Sequence, residues 1–357
     1  MKAALFYGGT DIRVLEIPTP EPGPGQVLVR VRAAGVCGSD LHGYRRPDPI
    51  LDPPQTRGHE LAGEVAALGP GVEGLAVGQR VGVEPAHLTA CGRCRWCRRG
   101  DTQLCPELGL ARNVHSTGFA EYSLESAEMC YPLPEALPIE QAAILDVYAV
   151  AVHAVHRVPA RPMEAAVVLG TGPIGLATAQ VARAAGAGRV IVVGRRAEPL
   201  ALARALGCDA TVCCGATVDS SQADLVEAVR ARTGGRGAEV VYETVGGQAP
   251  TLGQAIEVAA RGGRVGVVGM FGAPQRVDAG LCMRKELSLH WVWSYGRWEG
   301  VPEFQIALDM LSTGVDGGGV DAGPLITHRY PLAEIGAAFA AANDKRRSGA
   351  TKVLVIP

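Results

Sequence analysis

The sequence predicts an α/β protein in which a β-rich domain accompanies a doubly wound parallel sheet. Three observations predict it. The chain has 357 residues, more than one core of about 150 residues covers, so two domains are expected. The first 150 residues are rich in turns and in short runs that alternate with period two. From residue 165 onward, apolar runs alternate with helical stretches of about ten residues, the pattern of successive βαβ units.

Taken in order, residues 26–32 (Gln-Val-Leu-Val-Arg-Val-Arg) alternate as a half-buried strand does, and Pro18, Pro20, Pro22 and Pro24 impose an extended entry to it. Residues 60–67 and 80–83 read as further strands. Residues 165–169 are continuously apolar, as in a strand covered on both faces. A glycine turn follows, then an Ala-rich helix to residue 185. The alternation continues with strand 189–193, helix 200–206, strand 210–213, helix 225–233, strand 239–242, helix 251–260 and strand 264–268. It fades near Trp291. Beyond lie an amphipathic helix at 302–311, a long Gly-rich loop at 314–323 and a last strand at 352–356.

Thirty-four basic and 36 acidic residues leave a formal net charge of −2, which excludes a polybasic or polyacidic working tail and gives no reason to expect nucleic acid as partner. With 47% hydrophobic and 20% charged residues, wholesale disorder is excluded. The longest uncharged stretch, 165–182, contains Gly170, Gly172, Gly175 and Gln180, which suit a strand, turn and helix better than a lipid-facing span. No secretory leader opens the chain, so a cytoplasmic location with ten reduced cysteines is expected.

Four of those cysteines, Cys91-x2-Cys94-x2-Cys97-x7-Cys105, have the spacing of a tetrahedral thiolate site for zinc. Four protein ligands leave no open position, so this zinc is structural. Arg93, Arg95, Arg98 and Arg99 lie among the ligands and read as a solvated face. Gly170-Thr171-Gly172-Pro173-Ile174-Gly175 fits G-x-G-x-x-G between a buried strand and a helix, the context in which glycines admit a dinucleotide pyrophosphate to a helix N-terminus. The next strand ends in Gly194-Arg195-Arg196, where an NAD-preferring site would place a carboxylate for the ribose 2′-hydroxyl. Two guanidinium groups and no carboxylate favour a 2′-phosphate, hence NADP over NAD. Cys37 and His59 are good zinc ligands outside the closed lobe, and with a carboxylate they would make an open site if they converged; spacing alone leaves that undecided.

Gly35-Val36-Cys37-Gly38-Ser39-Asp40-Leu41-His42, Gly58-His59-Glu60, Gly63-Glu64-Val65, Val77-Gly78-Gln79-Arg80-Val81 and Leu325-Ile326-Thr327-His328-Arg329 make the chain resemble, essentially end to end, the zinc-dependent medium-chain alcohol dehydrogenases. The resemblance is to their polyol and secondary-alcohol branch of butanediol, sorbitol and threonine dehydrogenases. It implies a GroES-like catalytic domain, 1–147 and 294–357, with the structural zinc lobe near 91–105, interrupted by a Rossmann domain, 148–293. It implies two zinc ions per chain. Cys37 and His59 match catalytic zinc ligands, Glu60 a carboxylate that binds zinc or stands behind its water, and Asp146 the third ligand. Ser39 matches the hydroxyl that bonds the substrate oxygen, His42 the proton relay, Lys352 a base for the cofactor pyrophosphate, and His87 a residue near the substrate in threonine dehydrogenases. The implied reaction is hydride transfer between NADP(H) and a secondary alcohol, diol or polyol, by a homodimer or homotetramer. Two alternatives stay open: an NAD-dependent threonine or sugar-alcohol dehydrogenase, and a catalytically silent nucleotide-binding protein. Two features depart from the pattern. Asp146-Val147 stands where butanediol and sorbitol relatives have Glu-Pro, so a side chain one methylene shorter either misses zinc or reaches it through a water. The 314–323 loop is also longer and richer in glycine than in relatives.

Overall fold

The computed structural model describes residues 1–45, 54–85, 88–109, 117–214 and 222–357. The chain divides into two compact units. The first is Met1–Asp146 with Glu299–Ser312 and Ala322–Pro357; the second is Val147–Trp298 with Thr313–Asp321. The second unit thus runs five residues past the expected boundary at 293 and takes in 313–321, part of the Gly-rich loop.

The first unit is built on mainly antiparallel strands, with Ile326–Pro331 and Lys352–Ile356 paired parallel. Its larger sheet runs Ile326–Pro331, Lys352–Ile356, Gln26–Gly35, Glu60–Leu68, Arg80–Val83, Cys130–Pro132, with Tyr122–Ser126 also paired to Gln26–Gly35. Alternation explains the central strand: Val27, Val29 and Val31 are fully buried and Arg30 is exposed. A hairpin of Lys2–Gly8 and Asp11–Glu16, which no expectation covered, lies in a second, three-stranded sheet. Its Phe6 joins Phe119 and Phe339 in the core, with ring centroids 5.3 to 6.2 Å apart. Such aromatic triads add edge and tilted contacts to the area they bury.

In the second unit a six-stranded sheet runs Ala210–Cys213, Arg189–Gly194, Ala165–Leu169, Ala238–Glu243, Ala259–Val267, Ser288–Trp291, and every neighbouring pair is parallel. Numbered in chain order this is 3-2-1-4-5-6, with the order reversing beside Ala165–Leu169, the point at which doubly wound sheets bind nucleotides. One expected boundary moves. The helix from Thr251 stops at Val258, and the next strand starts at Ala259 rather than at 264, because Gly262, at φ +69°, and Gly263 admit an irregular entry with a register shift.

The Gly-rich loop has an anchor in this unit. Gln180 Nε2 donates to Tyr148 Oη at 2.8 Å, Tyr148 Oη donates to the Asp321 carbonyl at 2.9 Å, and the Asp321 amide donates to Gln180 Oε1 at 2.9 Å. A glutamine buried in the middle of a helix is thereby fully used, as buried polar groups require. Among the described residues, no helix is long and apolar enough to cross a membrane.

Candidate functional site

The antiparallel pairing of Gln26–Gly35 with Glu60–Leu68 sets Gly35 opposite Glu60. The chain then turns through Cys37, which caps the helix Gly38–Tyr44, and this brings Cys37 back beside His59. Ligating atoms of Cys37, His59 and Glu60 all lie within 4.8 Å of one another. Gly35 is needed at its place, since a Cβ there would stand 2.0 Å from Glu60 Oε2.

The charges around this trio are unbalanced toward the negative. Burial pulls the His59 pKa down, yet Cys37, Asp40 and Asp146 together raise it well above the usual imidazole value. Burial pushes Asp40 up, against the pull of His59. Glu60 is 1% exposed, and both its carboxylate oxygens lie against the Lys352 ammonium. A thiol sulfur, an imidazole and a carboxylate form a donor set that suits zinc in an open site.

Lys352 lies on the last strand, 3% exposed, and its Nζ donates to Glu60 Oε1 at 2.6 Å and to the Val36 carbonyl at 3.2 Å. Its ammonium is thus held beside the Cys37, His59 and Glu60 trio. Asp146, in the first turn of the helix Leu145–Arg157, falls outside the trio's 4.8 Å set, although its charge acts on His59 and Lys352. Ser39 and His42 are both exposed and stand three residues apart on one helix, which places them on one face. His87 lies outside the described residues.

Asp40 was not singled out from the sequence. Its Oδ2 accepts the Cys37 amide at 3.0 Å, and its Oδ1 stands 3.8 Å from His59 Nδ1. It therefore holds the loop through a hydrogen bond and lends the imidazole a nearby negative charge, as a carboxylate behind a metal-ligating histidine does. The available signal was its position three residues after Cys37 at a helix start, the spacing of a capping box.

The four thiols of Cys91, Cys94, Cys97 and Cys105 likewise lie within 4.8 Å of one another. Cys94 caps the short helix Arg95–Arg98, and the amides of Cys91 and Glu107 point at Cys105 Sγ, both at 3.4 Å. Backbone amides of Arg93 and Cys94 draw Cys91 down to about 7, whereas burial and the other thiols push Cys97 up to about 12. The cluster thus stabilises one thiolate through its backbone and needs a cation for the rest, which fits a closed zinc site. The arginines turn to their own neighbours: Arg93 pairs with Glu107, Arg99 with Asp101, and Arg95 lies over Trp96.

In the second unit the three glycines of the motif take distinct roles. Gly170 has φ +122°, accessible to glycine, and a Cβ there would meet Thr244 Oγ1 at 2.6 Å. A Cβ on Gly175 would stand 2.3 Å from the Gly170 carbonyl, so this glycine lets the helix Pro173–Ala184 pack on the turn. A Cβ on Gly172 would meet nothing within 4 Å, leaving its backbone open to approach. With Pro173 and Ile174 beginning the helix, the cradle fits a dinucleotide pyrophosphate. Gly194 ends the next strand, Arg195 is exposed, and Arg196 caps the helix Ala197–Ala205. Trp291, Trp293 and Trp298 are all exposed in the single chain, Trp298 stacking on His156 with ring centroids 4.4 Å apart.

Comparison with known proteins agrees with this geometry. The family of alcohol dehydrogenase GroES-like domains matches residues 23–135, and the zinc-binding dehydrogenase family matches residues 173–313. The chain is 34% identical to a sorbitol dehydrogenase of Halalkalibacterium halodurans, a match covering 98% of this chain and 97% of that one. It is 34% identical to an L-threonine 3-dehydrogenase of Pyrococcus horikoshii, with 92% and 90% covered. Among solved structures, 2R,3R-butanediol dehydrogenase from Bacillus subtilis is similar with a TM-score of 0.84 at 31% identity, covering 100% of this chain and 99% of that one.

Proposed function

The chain belongs to the polyol branch of the zinc-dependent medium-chain alcohol dehydrogenases and is an oxidoreductase acting on CH–OH groups; from that premise we propose that it interconverts a diol or polyol and its ketone, with NADP(H) as hydride carrier. Zinc and a nicotinamide dinucleotide are the cofactors. The observation that carries the reading is the convergence of Cys37, His59 and Glu60 from two elements far apart in sequence.

Cys37, His59 and Glu60 would hold the catalytic zinc, Asp146 would approach it through a water, and the four-cysteine lobe would hold a second ion. When bound, zinc supplies Lewis acidity toward the substrate oxygen, and the nicotinamide accepts or returns the hydride. The chain's own part is positioning and proton transfer. Asp40 fixes the Cys37 backbone and sets a negative charge beside the His59 ring. The Ser39 hydroxyl takes the proton of the substrate hydroxyl, and His42, one turn along the same face, passes it to solvent. In the reduction direction the same pair returns it. The carboxyl edge of the parallel sheet carries the dinucleotide, the pyrophosphate at Gly172 and the 2′-phosphate at Arg195 and Arg196. The edge strand Ser288–Trp291, with Trp291 63% exposed, would pair with a second copy in a cytoplasmic homodimer or homotetramer.

The test is a panel of diols, polyols, threonine and simple ketones, assayed with NADP and NAD, together with metal analysis. Two zinc ions per chain and turnover of a secondary alcohol are expected. One zinc and no turnover would favour a silent nucleotide-binding protein. For cofactor choice, Arg195→Ala is expected to raise the KM for NADP by roughly tenfold or more, the equivalent of losing a charge-assisted hydrogen bond of about 1.5–3 kcal/mol, while leaving NAD unchanged. Equal effects on the two cofactors would remove the 2′-phosphate argument. Installing Asp at Gly194 is a poorer probe, because a Cβ there would press on Thr171 Cγ2 at 2.5 Å.

A further inference from the structure

Beside the glycine turn of the second unit stands a threonine that the mechanism does not use. Strand Ala238–Glu243 runs parallel to Ala165–Leu169 and sets Glu243 opposite Leu169. The next residue, Thr244, therefore lies against the turn that begins at Gly170. Its amide donates to the Leu169 carbonyl at 3.0 Å, and its hydroxyl donates to the same oxygen at 2.8 Å. That hydroxyl sits between the first and third glycines of the motif: a Cβ on Gly170 would meet Thr244 Oγ1 at 2.6 Å, and one on Gly175 would meet it at 2.8 Å. One oxygen thus fills a slot that admits no further carbon on either glycine. Thr244 also has little room to retreat. Glu243 is fully buried, and its Oε1 accepts the Val245 amide at 2.8 Å, the Gly246 amide at 3.0 Å and the Thr251 hydroxyl at 2.8 Å. The Glu243 carbonyl accepts the amides of Val268 at 2.8 Å and Gly269 at 3.0 Å. The backbone on both sides of Thr244 is therefore pinned to two neighbouring strand ends.

We infer that Thr244 is a positioning residue for the dinucleotide: its hydroxyl fixes the spacing of Gly170 and Gly175, and so presents the Gly172 backbone and the start of the helix Pro173–Ala184 to the pyrophosphate. The inference rests on reading that turn as the pyrophosphate cradle. Thr244 acts from 75 residues away in sequence, through the turn and not by touching the ligand. A methyl cannot take the hydroxyl's place. Carbon approaches a carbonyl oxygen only to about 3.3–3.6 Å, against the 2.8 Å of the hydroxyl, so Thr244→Val presses on Gly170 and Gly175 by roughly half an ångström.

The zinc-loaded protein and its Thr244 variants are titrated with NADPH and with NADH, and dissociation constants are read from nicotinamide fluorescence. T244V is expected to bind both dinucleotides about five- to tenfold more weakly, the equivalent of a hydrogen bond lost at a cradle common to the two. T244S keeps the hydroxyl and its bond, and is expected to stay within about twofold of the parent. T244A adds no bulk and serves should T244V not fold, with a loss of about two- to fivefold expected for both dinucleotides. Parent-like affinity of T244V, or of T244A where valine is not tolerated, overturns the inference. So does an equal loss in T244S, which assigns the effect to the methyl and not to the hydroxyl. A loss confined to one dinucleotide overturns it too, since both carry the pyrophosphate. Failure of the cradle reading is distinguishable: Gly172→Val, whose Cβ meets no protein atom within 4 Å, would then leave the binding of both dinucleotides unchanged.

Discussion

Cys37→Ala and His59→Ala are each expected to lower turnover by on the order of a thousandfold or more, while the protein keeps its fold and one of its two zinc ions. The magnitude follows from the several kcal/mol by which a Lewis acid stabilises charge on a reacting oxygen, at about 1.36 kcal/mol per tenfold in rate. The fold should survive because neither side chain belongs to the apolar core of the first unit, which is carried by residues such as Phe6, Val29, Val31, Leu61, Phe119 and Phe339. Three measurements on the same preparation check this: steady-state turnover, zinc per chain, and circular dichroism. Activity within about tenfold of the parent, or an unchanged zinc count, would remove Cys37 and His59 from the site. Cys94→Ser is the complementary control. It should also cost one zinc, but from the lobe, where Cys94 both caps the short helix and accepts the Cys97 amide. Its loss should appear first as reduced resistance to heat and only afterwards as reduced turnover.

Residue patterns carried the second unit further than the first. A strand buried on both faces shows as a continuous apolar run, so 165–169 and 189–193 were readable, 210–213 followed from the βα alternation, and the glycine motif marked where their order reverses. The edge strand Ser288–Trp291 was not readable, since Ser-Leu-His-Trp is too short a run to establish a period and none of the four is fully buried. The hairpin at Lys2–Gly8 and Asp11–Glu16 was missed because its second strand is mostly exposed and its apolar pattern correspondingly weak. At the site, the cysteine spacing of the lobe is a local signal and could be read directly. The Cys37, His59 and Glu60 trio is not local: it depends on the register that sets Gly35 opposite Glu60. Lys352 shows the limit most clearly. Its partner is set by the pairing of the last strand with Gln26–Gly35, which delivers that ammonium to Glu60 and leaves no local signal of it.

That buried pair carries the second large prediction. Lys352→Met should cost about 3–5 kcal/mol of unfolding free energy, the usual penalty for stranding one member of a buried ion pair. The two side chains are 3% and 1% exposed, so water cannot replace the lost ammonium. Methionine keeps most of the apolar stem, which confines the loss to the charge. Lys352→Met combined with Glu60→Gln should recover much of the loss, because removing both charges leaves nothing to desolvate. Urea unfolding of the parent, both single variants and the double variant gives the coupling directly, and a loss below about 1 kcal/mol for Lys352→Met would refute the pair as a structural element. Repeating the series with zinc loaded and with zinc stripped decides Glu60's own role. If the Glu60 carboxylate turns to zinc when its ammonium is removed, the loaded variant will lose distinctly less than the stripped one, since the metal takes over the neutralisation. Equal losses in the two states would keep Glu60 on the Lys352 side of the site, and zinc would then rest on Cys37, His59 and water-mediated Asp146.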